Sequence, residues 1–212
     1  LHFLANAEDK GDRSNDAQVA SALIEAGADL NSRDNNGRTA LFLAAANDRE
    51  AILDRLIDAG AELDLSRDNG WTPLMRAVYD DQKAIVERLA AAGADVGAKD
   101  QKGWSPLHIL SDSSRPENTD HDRAIASILV DAGANPDALN DELVTPLMLA
   151  ALNGRRDVAR ALLEHDLNLS ITNKYGSTAQ QVAKAHDNYD VLAEILEASH
   201  SGTQSRISIP NG

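Results

Sequence analysis

The hydrophobic residues of segment 50–58 recur at the spacing of one helix face. Ile52, Leu53, Leu56 and Ile57 form a single stripe, and charged residues occupy most of the remaining positions. This pattern predicts an amphipathic helix that turns its apolar stripe toward a core. Gly60 follows shortly after and predicts the end of the helix, because glycine adopts the left-handed conformation without strain.

A shorter helix is predicted just before this one. The Asp-Asn-Asn-Gly cluster at 34–37 has turn chemistry, and Thr39 is a good N-cap residue. In three later segments a proline follows the cap at the first helical position, where its missing N–H costs nothing: Pro73, Pro106 and Pro146. The pattern therefore predicts pairs of short helices joined by turns.

The same helix-pair pattern recurs along most of the chain. Spacings of 33, 33, 40 and 33 residues separate the capping residues Thr39, Thr72, Ser105, Thr145 and Thr178. A second marker, the residue that ends the second helix, keeps the same intervals at Gly27, Gly60, Gly93, Gly133 and Asp166. A period in the low thirties predicts a solenoid of stacked units.

Several of these segments resemble the ankyrin repeat family. The segments that carry the resemblance are GWSPLH at 103–108, TPLM at 72–75 and 145–148, and AGADV at 92–96. The resemblance extends over residues 1–199. It implies an all-α solenoid of stacked helix-turn-helix units with short β-hairpin loops between them.

The repeat markers divide this ankyrin-like region into six units, the first of them partial: 1–33, 34–66, 67–99, 100–139, 140–172 and 173–199. Residues 200–212 are expected to form a C-terminal tail, because 201–212 lack a helical pattern. Gln180, Gln181 and Lys184 suit the polar outer face that a terminal unit needs. Since the chain opens at Leu1 without Met or a signal-like segment, we expect that upstream residues were removed.

Two units depart from the common length. Each carries seven extra residues between its helices, in the polar segments 8–16 and 111–122, which are expected to be surface loops. Two positions also depart from the usual residue type. Leu143 stands where the other turns have glycine, and Asp166 is expected to take the left-handed conformation at a helix end.

Composition narrows the classes of partner. The 34 acidic residues outnumber the 20 basic ones and give a net charge of −14, which argues against nucleic acid and anionic membranes. A basic protein partner fits this charge. Cysteine is absent, which excludes disulfides and thiolate chemistry, and no stretch of about 18 apolar residues could span a bilayer. We expect the free chain to be a monomer.

The sequence offers little catalytic chemistry. No nucleophile stands in a recognisable relation to a base, so neither an enzyme nor a cofactor is predicted. His2 and His108 occupy the repeat pattern itself and are expected to tie the turns together. His121 lies between Asp120 and Asp122 and could bind a divalent cation, although a solvated loop is the competing interpretation.

The ankyrin resemblance also implies a binding surface. In that family the residue just before each cap points into a concave, protein-binding face, which here assigns Arg38, Trp71, Trp104, Val144 and Ser177. The first helices would add Arg76, Tyr79, Ile109, Asp112, Leu149, Leu152 and Asn153, and the turn tips would add Asp68, Asn69, Gln101, Lys102, Asp141 and Glu142. We expect Trp71 and Trp104 to stand side by side. They could serve binding, where Trp, Tyr and Arg often dominate the energy, or packing between turns, or both.

The sequence therefore predicts a non-enzymatic protein–protein interaction module that binds a partner protein on its concave face. Its finer form is an inhibitor or immunity protein that occludes a cognate enzyme or toxin. Two alternatives stay open. One is a targeting or scaffold segment of a longer polypeptide, and the other is a metal-dependent protein that uses the inserted loops.

Overall fold

A computed structural model describes residues 1–6, 15–112 and 119–205 of the chain. Within these ranges the chain forms twelve helices in six successive pairs and no β-strand. The pairs are α1 (His2–Asn6) and α2 (Asp16–Glu25), α3 (Ala40–Ala46) and α4 (Glu50–Asp58), α5 (Pro73–Tyr79) and α6 (Lys83–Ala91), α7 (Pro106–Leu110) and α8 (Thr119–Asp131), α9 (Pro146–Asn153) and α10 (Arg156–Leu163), and α11 (Ala179–Ala185) and α12 (Tyr189–Ser205).

The first helices begin where the sequence predicts. The hydroxyl of Thr39 accepts a hydrogen bond from the backbone N–H of Phe42 at 3.1 Å, which satisfies one of the unpaired donors at a helix start. Equivalent bonds cap α5, α9 and α11 through Thr72, Thr145 and Thr178. The predicted N-caps are therefore confirmed at these helices.

The loops between units are tight turns closed by two backbone hydrogen bonds. In the first of them, the N–H of Asp34 donates to the carbonyl of Arg38, and the N–H of Gly37 donates to the carbonyl of Asp34, both at 2.9 Å. The same two bonds recur in the turns that begin at residues 67, 100, 140 and 173. As a result, the residue before the cap is held in an equivalent position in each of the five units that begin with such a turn.

The helices stack in two rows. The first helices α1, α3, α5, α7, α9 and α11 pack on one another in order, and the second helices from α2 to α12 form a parallel row. One apolar cluster runs through the stack from Ala5 to Ile195. Small residues such as Ala44, Ala77 and Ala150 are fully buried, and they let neighbouring helices pack closely. These features confirm the predicted ankyrin solenoid.

Histidines tie neighbouring units together, as expected. The Nε2 atom of His2 lies 3.0 Å from the carbonyl oxygen of Arg38, in the following turn. His108 lies 106 positions further along and repeats this contact, with Nε2 at 2.9 Å from the carbonyl oxygen of Val144. The Nδ1 atom of His108 also lies 2.8 Å from the hydroxyl of its own cap, Ser105.

Each of the two units with inserted residues forms an equivalent ion pair with the unit that follows it. Asp16 begins α2 and lies 3.0 Å from the guanidinium of Arg49 in the next unit. Asp122 and Arg155 occupy the positions 106 residues further along, and their charged groups lie 3.3 Å apart. Residues 1–66 and 107–172 are therefore two versions of one double unit, hereafter the N-terminal and C-terminal double units.

The structure corrects two details at helix ends. Asp166 is not among the residues with positive φ, so its expected left-handed conformation is wrong. Helix α10 instead ends in a tight turn in which the N–H of His165 donates to the carbonyl of Leu162, and this turn needs no left-handed residue. Leu143 does take the left-handed conformation of the missing glycine, with φ of 57°.

The last helix is longer than the sequence pattern indicates. Helix α12 continues to Ser205, so the expectation of a non-helical tail is wrong for residues 201–205. The physical reason is that extending an existing helix is far easier than starting one, so no apolar periodicity is needed to add a turn. The remaining tail, residues 206–212, lies outside the described part of the chain.

Candidate protein-binding surface

The surface made by the turns and first helices contains most of the residues singled out from the sequence. Five residues precede the caps, and all are half-buried: Arg38, Trp71, Trp104, Val144 and Ser177. Trp71, Trp104 and Val144 pack against the core along one edge. Each of these side chains therefore contributes to packing and still presents part of its surface.

Trp71 is held by contacts on both sides. Its indole ring meets the ring of Tyr79 edge-on, with the two centroids 5.3 Å apart. Its indole N–H donates to the carboxylate of Asp100 in the next turn at 3.2 Å. The other oxygen of Asp100 accepts the backbone N–H of Trp104 at 2.9 Å, so one carboxylate links the two tryptophan positions.

The cations near Trp71 are already paired within their own units. The guanidinium of Arg38 lies 2.7 Å from the carboxylate of Asp34. Arg76 pairs with Asp80, one helical turn further along α5, and its guanidinium also lies 5.7 Å from the centre of the Tyr79 ring. Burial raises the pKa of the Asp80 carboxyl, while the neighbouring Arg76 acts in the opposite direction.

A groove of about 650 Å³ opens on the same surface toward the C-terminal units. It lies between the turns at residues 101–104, 140–144 and 173–175 and the helices α9 and α11. We call this site the apolar groove. Its apolar lining consists of Trp104, Val144, Met148, Leu149, Leu152, Tyr175 and Val182, and its polar lining of Gln101, Lys102, Asn140, Asp141, Glu142, Asn173 and His186.

Two large side chains that line this groove are exposed to water. Tyr175 is 78 % exposed and Leu152 is 39 % exposed. The ammonium of Lys174 lies 5.2 Å from the centre of the Tyr175 ring and 3.3 Å from the carboxylate of Glu142, which bridges two neighbouring turns. Exposed apolar surface with a polar rim is typical of sites that bind other molecules.

The groove brings together eight of the predicted site residues, namely Gln101, Lys102, Trp104, Asp141, Glu142, Val144, Leu149 and Leu152. The others do not line it: Arg38, Asp68, Asn69, Trp71, Arg76, Tyr79, Ile109, Asp112, Asn153 and Ser177. Two of these are engaged with the neighbouring turn, since Gln101 donates to the carbonyl of Asp68 and to that of Asn69. The side-by-side arrangement of Trp71 and Trp104 stays a prediction.

Ile109 and Leu149 were expected on the exposed face of the first helices, and this is wrong. Both are almost fully buried. Leu149 nevertheless forms part of the floor of the apolar groove.

Sequence reasoning missed six of the lining residues, namely Asn140, Met148, Asn173, Tyr175, Val182 and His186. A signal existed for Tyr175. It occupies the same turn position as Asn69 and Lys102, which were selected as turn-tip residues, so the repeat register alone points to it.

The candidate metal ligands are engaged elsewhere. The Nδ1 atom of His121 lies 3.1 Å from a carboxylate oxygen of Asp81, and Asp122 pairs with Arg155. The side chain of Asp120 lies outside the described part. Within the described residues, no three His, Asp or Glu side chains come close enough to share a metal ion. In the same part of the chain, no helix combines the length and apolar character needed to cross a bilayer.

Comparison with known proteins identifies the fold family. The sequence model for ankyrin repeats (3 copies) matches residues 11–100, 80–172 and 117–205. An E3 ubiquitin-protein ligase, XB3, from Oryza sativa subsp. japonica is 41 % identical over 63 residues, which cover 30 % of this chain and 12 % of the rice protein. The chain thus matches about an eighth of that relative's length. The capped helix pairs and the family match agree, and the chain belongs to the ankyrin repeats, a family of protein–protein interaction modules.

Proposed function

We propose that the chain is a non-enzymatic module that binds a partner protein through the apolar groove. The observation that carries the proposal is the open groove itself, which presents Trp104, Leu152 and Tyr175 together on one face. The cations around Trp71 already have carboxylate partners, whereas these apolar side chains border open space. Aromatic and aliphatic anchors in such a site supply most of the binding energy in protein interfaces.

The finer form of the proposal is that the partner is a basic enzyme or toxin whose active site the chain occludes. The net charge of −14 supports a basic partner, because opposite fields accelerate encounter. Lys102 on the groove rim is exposed but stands beside Asp141 and Glu142, so the rim does not reverse this balance.

Two exposed tyrosines provide a matched test. Tyr175 lines the groove, whereas Tyr189 begins α12, is also exposed, and donates its hydroxyl hydrogen to Asp187. A photo-crosslinking amino acid, p-benzoylphenylalanine, is placed at each position in turn, and the protein is irradiated in lysate of the source organism. We expect a discrete crosslinked protein from position 175 and none of the same mass from position 189.

The captured protein is then titrated against purified variants by calorimetry. Tyr175→Ala should weaken binding by about tenfold or more, as expected for an aromatic anchor, and Tyr189→Ala should leave it unchanged. If the captured protein is an enzyme, its activity should fall in proportion to occupancy. Equal crosslinking from both positions, or unchanged affinity of Tyr175→Ala, would sink the proposal.

A second candidate function is a recruiting segment within a longer polypeptide. It is favoured by the similarity to part of an E3 ubiquitin-protein ligase, a protein of which this chain matches only 12 %. In that case the groove would hold a protein on which another part of the polypeptide acts. Sequencing the complete reading frame discriminates the two, because only the recruiting segment requires a catalytic domain in the same frame.

A further inference from the structure

On α2, the unit at residues 1–33 exposes apolar side chains whose equivalents every later unit buries. On α2, Val19 is 45 % exposed and Leu23 is 37 % exposed. The equivalent residues of the five later second helices are at most 2 % exposed: Ile52 and Leu56, Ile85 and Leu89, Ile125 and Leu129, Val158 and Leu162, and Val191 and Ile195. Phe3 on α1 is 90 % exposed, although its equivalents Leu43 and Ile109 are almost fully buried.

The last unit shows which way this face points. Val191 and Ile195 on α12 are buried, although no described helix follows α12. Their cover comes from α11 of the same unit and from the preceding unit, since α12 packs against α11, α10 and α9. By equivalence, Val19 and Leu23 lie on the side of α2 that its own first helix and a preceding unit would cover.

The inserted loop does not account for the exposure. The unit at residues 100–139 carries the same seven extra residues between its helices. Its equivalent residues Ile125 and Leu129 are nevertheless fully buried, because α8 packs against α6 of the unit before it. Helix α8 also packs against α7 of its own unit, whereas α2 packs mainly against α4 of the following unit, so the described residues leave this face of α2 without the cover that α8 has.

A second copy of this chain is a poor match for the open face. The opposite end of the stack exposes Gln180, Gln181 and Lys184, as the sequence predicted for a terminal unit, and these polar groups would not cover Val19 and Leu23 well. Two copies meeting through the same face would bring together chains that each carry a charge of −14.

We propose that the open face of α1 and α2 binds one more ankyrin helical pair, provided by the same polypeptide. The occupant would present aliphatic side chains such as those of Leu53 and Val86, which are fully buried in the second-helix row. The proposed contact continues an interface that already exists five times in this molecule. It does not depend on the partner-binding role of the apolar groove.

The absence of cysteine from the chain permits a direct test by thiol labelling. Leu23→Cys places a thiol on the open face, and Gln18→Cys places one on the solvent side of α2. The residue equivalent to Gln18 in the next unit, Ala51, is exposed although that unit has a preceding unit. Each variant is made in the 212-residue chain and in a longer chain that adds the residues encoded upstream in the natural reading frame. Reaction with Ellman's reagent is followed by absorbance.

In the extended chain, Leu23→Cys should react at least about tenfold more slowly, because its thiol becomes accessible only when the interface opens. Gln18→Cys should react at the same rate in both chains. If Leu23→Cys lowers the helical content measured by circular dichroism, Val19→Cys replaces it as the reporter.

Three results would overturn the proposal. One is an unchanged labelling rate of Leu23→Cys in the extended chain. Another is a start codon directly before Leu1, which leaves no residues to form the extra pair. The third is protection in the short chain that grows with protein concentration alongside dimer formation in sedimentation velocity, which would assign the face to a second copy.

Discussion

The N-terminal and C-terminal double units share one scaffold and present different surfaces. Both contain the histidine-to-carbonyl contact and the Arg–Asp ion pair that join adjacent units. On the turn-and-first-helix surface, however, Arg38 and Ala46 of the first correspond to Val144 and Leu152 of the second. In the first double unit, Arg38 forms an ion pair with Asp34, which makes this surface polar. In the second, Val144 and Leu152 form part of the apolar groove.

If the groove binds the partner as proposed, most of the residues that hold this stack together differ from those that select its partner. Scaffold positions are buried and hydrogen-bonded across units, so a change there alters stability. Surface positions face open space, so they vary without disturbing the stack. The following predictions compare equivalent residues of the two double units, beginning with the largest effect.

The buried ion pairs should differ in strength. Arg155→Ala leaves Asp122, which is 2 % exposed, without this cation, and we expect a loss of about 3–4 kcal/mol in the free energy of unfolding. Arg49→Ala should cost less, about 2 kcal/mol, because Asp16 is 25 % exposed and water partly solvates it. Urea unfolding followed by circular dichroism measures both. Arg123→Ala, which removes the exposed ion pair with Glu164, serves as the control and should cost under about 1 kcal/mol. Equal losses for Arg155→Ala and Arg123→Ala would contradict the role of burial.

Exchanging surface residues between the double units should move binding without moving stability. The double variant Val144→Arg and Leu152→Ala copies the polar surface onto the groove, and should weaken partner binding by about 100-fold, or roughly 3 kcal/mol. The reverse exchange, Arg38→Val and Ala46→Leu, should leave affinity within about twofold. Calorimetric titration with the captured partner tests this, with melting temperatures as the control. A loss of affinity in the reverse exchange instead would place the interface on the N-terminal double unit.

The buried His108 should make the stability of the protein depend on pH. His108 is fully buried whereas His2 is only half-buried, and burial lowers the pKa of His108 below its ordinary value of 6.5. The unfolded chain then binds a proton at this residue at a higher pH than the folded chain does. The free energy of unfolding should therefore fall as pH drops below about 6.5, by up to about 1.4 kcal/mol per pH unit, and should not change through this group above that pH.

His108→Gln removes this group and should flatten the corresponding part of the pH profile. Urea unfolding of wild type and variant between pH 7.5 and pH 5.5 isolates the contribution of His108, because the other titrating groups are common to both proteins. Identical profiles for the two proteins would show that the folded His108 binds its proton as readily as the unfolded one.

The smallest effect is expected at the turn position where the double units have Gly37 and Leu143. Leu143 takes a positive φ of 57°, a conformation in which its Cβ is strained. Leu143→Gly should stabilise the protein by about 0.5–1 kcal/mol, since the relief of strain exceeds the added entropy of the unfolded chain. Thermal and urea unfolding measure the change. Destabilisation by this substitution would mean that the half-exposed leucine side chain contributes packing that outweighs its backbone strain.

The repeat architecture could be derived from the sequence because its determinants are local. The N-caps at Thr39 and Thr72, the prolines after the caps and the apolar stripe of α4 each depend on neighbours within a few residues. The length of α12 was missed because it depends on propagation from an existing helix, which leaves no apolar pattern in residues 201–205.

By itself, the sequence determined that six helical pairs stack through an alanine- and leucine-rich core and that the residues before each cap share one surface. Only the tertiary structure decided which of those residues are engaged. Arg38 turns to Asp34 and Trp71 reaches Asp100, whereas Trp104, Leu152 and Tyr175 meet at an open groove. The reason for the groove is physical: it forms between side chains of three neighbouring units, some thirty or more residues apart in the sequence, so only the packing of the stack brings them together.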